Sequence, residues 1–133
     1  MELNEYQKRA MSTCMPSCEN ISYMLLNLVG EVGEFASKVA KAVRKDQVKI
    51  GWWEEGKEAE ENDLIPTGSF AEWDELKEEL KKEAGDILWQ LSGLCTVMGW
   101  ELEDVGLGNL DKLAKRKEAG TIVGNGDGII RDK

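Results

Sequence analysis

Two acidic pairs, Glu31 with Glu34 and Glu83 with Asp86, each stand three residues apart inside a long run whose apolar residues recur at helical intervals. On a helix that spacing brings both carboxylates of a pair onto one face, about a turn apart. A strand would send them to opposite sides. If the two helices face each other, all four carboxylates aim at one point. Like charges so close raise one another's pKa, and a pocket that keeps them ionised needs a compensating cation. A donor set made only of oxygens selects a hard ion, Mg²⁺ or Mn²⁺. The alternative is a solvated acidic face, because 26 of the 133 residues are Asp or Glu and such faces are rich in Glu-x-x-Glu.

Around these pairs most of the chain reads as helical. Asn4 and Gln7 resemble a capping box that opens a short first helix carrying Leu3, Tyr6, Ala10 and Cys14 on one side. After an interruption at Pro16, a second helix runs from Ser17 to about Lys45. Ile21, Leu25, Leu28, Val32, Phe35, Val39 and Val43 form its apolar stripe, with a polar row of Asn27, Glu31, Glu34 and Lys38 beside it. Residues 47–69 break the pattern and read as an irregular insertion, in which Trp52 and Trp53 either cover a ligand base or fold back onto apolar surface. Ser69 and Glu72 form a capping box for a third helix with the stripe Trp73, Leu76, Leu80, Ala84, Ile87, Leu91, Leu94 and Met98. Its polar row is Glu79, Glu83, Asp86 and Gln90, and Gly99 supplies the stop. A fourth helix ends near Gly120 and carries the row Asn109, Lys112 and Arg116, suited either to hold phosphates or to complement the helix dipole in solvent. The tail, 120–133, has the pattern of a short hairpin or clasp. One all-α domain over 1–133, a bundle of about four helices, accommodates all of this.

The excess of acid gives a net charge of -9, which argues against a nucleic-acid polymer or an anionic membrane as partner. Histidine is absent altogether. That removes histidine general bases, Ser-His-Asp triads and the Glu-x-x-His pairs of di-iron bundles. Cys14, Cys18 and Cys95 are odd in number and sit in apolar contexts, which fits packed thiols in a reduced, cytoplasmic protein. No signal peptide or membrane span is visible.

Gly30-Glu31-Val32-Gly33-Glu34-Phe35, with Glu83-Ala84-Gly85-Asp86-Ile87-Leu88-Trp89 downstream, resembles the Glu-x-x-Glu and Glu-x-x-Asp signature of the MazG-like all-α nucleoside triphosphate pyrophosphohydrolases. The segments Asn109–Lys117 and Gly120–Arg131 are similar to the region C-terminal to that signature in small members of the family, whereas residues 47–69 are longer than its usual connection. The resemblance implies a bundle completed by a second copy, as a homodimer or homotetramer, with Mg²⁺ held by Glu31, Glu34, Glu83 and Asp86. It implies hydrolysis of nucleoside or deoxynucleoside triphosphates to monophosphate and pyrophosphate, in nucleotide-pool cleansing or regulation. Without histidine the proton falls to a carboxylate or to hydroxide on the metal, and Glu34 is a candidate. The resemblance further assigns Lys38, Lys112, Lys115 and Arg116 to the phosphates, Asn27 and Asn109 to base or sugar, and Arg131 to the substrate, from a tail that reaches across a dimer. A dUTP- or dCTP-specific hydrolase and a non-catalytic acidic interaction module are the alternatives.

Overall fold

The structure is a computed structural model, and the residues it describes are 1–52, 55–56 and 63–120. Four helices dominate it: α1 (Leu3–Met11), α2 (Ile21–Arg44), α3 (Phe70–Val97) and α4 (Leu102–Glu118). The expected tail and the second tryptophan of the Trp52-Trp53 pair, together with Arg131, lie outside the described residues.

The chain turns where its local chemistry demands it. A single 3₁₀ turn at Pro16–Cys18 delays α2 until Ile21, and Asn20, not Ser17, caps the helix by accepting a hydrogen bond from the Tyr23 amide at 2.8 Å. At the other end of α2 the amides of Asp46 and Gln47 bond back to the carbonyls of Val43 and Ala42, with Asp46 in the left-handed region at φ 58°. The Ser69–Glu72 capping box forms in both directions and starts α3. Gly99, at φ 76°, ends it as expected.

The expectations for residues 47–69 and for Asn4 with Gln7 change. Residues 47–69 are not irregular throughout: β1 (Val48–Ile50) and β2 (Leu64–Pro66) pair antiparallel, with Lys49 opposite Ile65. The pairing persists because Val48 is buried against Ala42 and Leu76, with Val43, Leu64, Trp73 and Leu80 packed around them, so the two strands seal one end of the α2–α3 pair. Asn4 and Gln7 do not cap their own helix, whose N-cap is Glu2 without a side-chain bond. Instead the side-chain oxygen of Gln7 accepts from the Leu102 amide at 2.7 Å and that of Asn4 from the Glu103 amide at 3.0 Å. These N–H groups of the first turn of α4 have no partner within the helix, and its own N-cap, Glu101, makes no side-chain cap bond, so α1 caps α4 from across the fold.

The helices α2 and α3 form the spine and run antiparallel. Their register is legible in four rungs. Met24 sits on Gly93, Asn27 bonds Gln90, Glu31 meets Asp86, and Lys38 meets Glu79. Steps of three, four and seven residues up α2 are matched by the same steps down α3. The polar rows therefore face each other across the seam. The apolar stripe of α2 is its core face only in part: Ile21, Leu25 and Val32 are 49%, 49% and 50% exposed, whereas Leu28, Phe35, Val39 and Val43 are half-buried. Asn27, Glu31 and Lys38 of the polar row face α3, while Val43 of the stripe packs against the Ala42, Val48 and Leu76 core.

Candidate active site

Carboxylate oxygens of Glu31, Glu83 and Asp86 all lie within 4.8 Å of one another on the α2–α3 seam. The helical spacing of Glu83 and Asp86 puts both on the side of α3 that meets α2, and Glu31 closes the triangle from the opposite helix. Glu31 and Glu83 are half-buried and Asp86 is exposed, so the triad opens to solvent on one side. Burial, and after it the charges of Asp86, Glu83 and Glu34, pushes the Glu31 carboxyl above its ordinary value. Concentrated negative charge with oxygen donors alone is what a hard divalent cation neutralises, and the residues fit such an ion.

Glu34, the fourth expected acid, is exposed and outside this triangle, though near enough for its charge to act on Glu31. Lys38 reaches across the seam to Glu83 at 3.5 Å and to Glu79 at 3.9 Å. Glu79 is thus drawn towards α2. Beyond Lys38 the seam widens into a cleft of about 190 Å³ lined by Lys41, Lys45, Glu72 and Glu75 among others.

On the other side of the triad the Asn27 amide donates to Gln90 Oε1 at 2.8 Å, so this asparagine faces the partner helix. The α4 residues are dispersed. Asn109, Lys112 and Lys115 are exposed, with Lys115 3.1 Å from Asp111 one turn away, while Arg116 is only 8% exposed and so is not part of a solvated basic end. Helix α4 leans on α1 and α3, and no ion pair among the described residues joins its lysines to the triad.

Tyr6 and Gln90, neither among the expected site residues, border the acidic seam. Burial raises the Tyr6 phenol above its ordinary value of 10.0, and the charge of Asp86 adds to it, which places α1 beside the acidic seam. The signal for Tyr6 was its place on the inward stripe of α1; for Gln90 it was membership of the row that carries Glu83 and Asp86. Cys14 and Cys18 are half-buried and Cys95 is buried, all three as free thiols.

Residues 19–121 match the family described as the MazG nucleotide pyrophosphohydrolase domain, a span that includes the whole of the spine and α4. The chain is also 31% identical to the Gene 37 protein of Mycobacterium phage L5 over 134 residues, covering 96% of this chain and 98% of that relative. No solved structure matches it. Among the described residues no helix is long and apolar enough to cross a membrane.

Proposed function

The chain belongs to the MazG nucleotide pyrophosphohydrolase family, and from that premise we propose that it hydrolyses nucleoside or deoxynucleoside triphosphates to the monophosphate and pyrophosphate with Mg²⁺ as cofactor. The observation that carries this reading is the convergence of Glu31, Glu83 and Asp86 within 4.8 Å, inside the segment that matches the family.

Glu31, Glu83 and Asp86 hold the ion in this proposal. When bound, Mg²⁺ offsets the negative charge of the phosphates and makes a water easier to deprotonate. Glu31 and Glu83 are half-buried and Asp86 is exposed, so substrate and water would reach the site from the open side of the triad. Glu34, outside the triangle yet on the same face of α2, is left to take the proton from the attacking water. Lys38 flanks the triad with a positive charge that meets the phosphate tail, and Lys112 and Lys115 stand in solvent as further phosphate contacts. Asn109 remains available to base or sugar; Asn27 serves that role only through the atoms its bond to Gln90 leaves free.

A second copy of the chain completes the bundle. The support is the apolar strip Ile21, Leu25, Leu26, Val29 and Val32, each about half exposed or more on the one helix that also carries Glu31 and Glu34. The strongly acidic composition disfavours a nucleic-acid polymer as partner.

The test is a panel of NTPs and dNTPs with Mg²⁺, detecting pyrophosphate and inorganic phosphate separately. Pyrophosphate with monophosphate supports the reading, and a response confined to dUTP or dCTP narrows it. Silence on the whole panel, with no effect of Mg²⁺ on the melting temperature, supports a non-catalytic interaction module.

A further inference from the structure

The seam between α2 and α3 holds a second polar group that the proposed chemistry does not use. Gln90 is 1% exposed, an unusual burial for a primary amide, yet its polar atoms are occupied. Its Oε1 accepts from Asn27 Nδ2 at 2.8 Å, and its Nε2 donates to Met24 Sδ at 3.2 Å. Met24 is wholly buried and lies over Gly93, where a Cβ would approach its Cε to 2.6 Å. Helix α3 is thus pressed against α2 at Gly93 and bonded to it at Gln90, one turn beyond Asp86.

Asn27 and Gln90 occupy the rung next to the triad: Asn27 is four residues before Glu31, and Gln90 four residues after Asp86. Four residues is about one helical turn, so the amide pair and the acids lie on the same two faces, stacked along the seam. A purely apolar contact is tolerant of axial sliding, whereas an amide-to-amide bond flanked by a sulfur acceptor has one favourable offset. The acids need that constraint, because their mutual repulsion acts to spread the helices at their own level.

We infer that Gln90, through Asn27 and Met24, is a positioning residue that fixes the register of α2 against α3 and so the spacing of Glu31, Glu83 and Asp86. The inference rests on the reading of the triad as a divalent-metal site. It assigns Gln90 no contact with substrate or metal.

The test uses the full chain and Mn²⁺, tracked through the loss of the free-ion paramagnetic resonance signal, with helix content and melting temperature recorded in parallel. Gln90→Met keeps the side chain's length and apolar stem but removes the amide. It is expected to stay helical and to bind Mn²⁺ about tenfold more weakly, the scale seen when groups that orient metal ligands are lost. The exchanged pair Asn27→Gln with Gln90→Asn restores an amide bond across the same gap and recovers most of that affinity. Asn27→Ala breaks the same rung while opening it to water, which keeps the claim measurable if Gln90→Met does not fold. Wild-type Mn²⁺ affinity in Gln90→Met, or in Asn27→Ala despite a lower melting temperature, would overturn the positioning role and leave a structural one. Absence of Mn²⁺ binding by the unaltered protein would instead refute the metal reading itself.

Discussion

Lys38 of α2 stands between two glutamates of α3, 3.5 Å from Glu83 and 3.9 Å from Glu79, and so sets a positive charge against one corner of the acidic triad. A lysine there competes with a metal ion for Glu83 and attracts the phosphates that a metal would also attract. Lys38→Met is expected to affect stability little, by about 0.5 kcal/mol, because the pair is partly solvated. Mg²⁺ should bind more tightly while KM for the triphosphate rises. Calorimetric titration with Mg²⁺ and steady-state kinetics check the two directions, and a parallel weakening of both would contradict the placement.

The N-terminus of α4 depends on α1. Gln7 supplies its side-chain oxygen to the Leu102 amide and its side-chain nitrogen to Thr96 Oγ1 and to the Trp100 carbonyl, 3.0 and 2.9 Å away. Gln7→Ala leaves those groups to water and should destabilise the fold by about 1 kcal/mol, the usual effect of losing a helix cap. Amide exchange at Leu102 should accelerate by the rate factor that corresponds to this loss, and unchanged exchange there would sink the claim.

The start of α3 carries a pH signature. The Ser69 amide at 2.8 Å, and secondarily Gln47 Nε2 at 3.0 Å, holds the Glu72 carboxyl below its ordinary 4.5. A lowered folded pKa means stability that is present above pH 4.5 and lost as the pH falls through the folded value. The melting-temperature gap between the wild type and Glu72→Gln is therefore expected to be widest near neutral pH and to close below pH 4.5. A gap independent of pH would count against the charge on Glu72.

These elements differ in how openly the sequence announces them. Ser69 with Glu72, and Gly99 after the last turn, act over a few residues, so their pattern survives without tertiary knowledge. The two acid pairs were readable for the same reason: helical spacing alone puts Glu83 beside Asp86. The partner of Asn4 is Glu101, 97 residues away, and nothing local distinguishes that bond from a cap on α1. The strands Val48–Ile50 and Leu64–Pro66 are three residues each, too short for an alternating pattern to show. Helix α2 carries an apolar row and a polar row side by side, and only the position of α3 decides that Asn27, Glu31 and Lys38 meet it while Ile21, Leu25 and Val32 stay exposed. Glu34 shares its spacing with Glu31 but not its place in the triangle, because the carboxylates of the other helix fix which member is included.

The outward apolar strip of α2 supplies a test of assembly. Leu26 is 71% exposed, so Leu26→Glu changes no buried contact within one copy. If the strip joins two copies, the substitution should convert a dimer to a monomer in analytical ultracentrifugation while leaving the helix content intact. A wild type that sediments as a monomer, or a variant that still dimerises, would remove the strip from the interface.

The central claim is that Glu31, Glu83 and Asp86 form the site at which a nucleoside triphosphate is cut. Its most direct test compares pyrophosphate release by the wild type and by Glu83→Gln on the best nucleotide, with Mg²⁺ and with a chelator. Glutamine keeps the size of the side chain and removes one charge of the triad. The expected result is pyrophosphate and monophosphate from the wild type only with Mg²⁺, with at least a roughly hundredfold loss in the variant, about 2.7 kcal/mol of transition-state stabilisation. Release that persists in Glu83→Gln, or that ignores the chelator, would contradict the assignment.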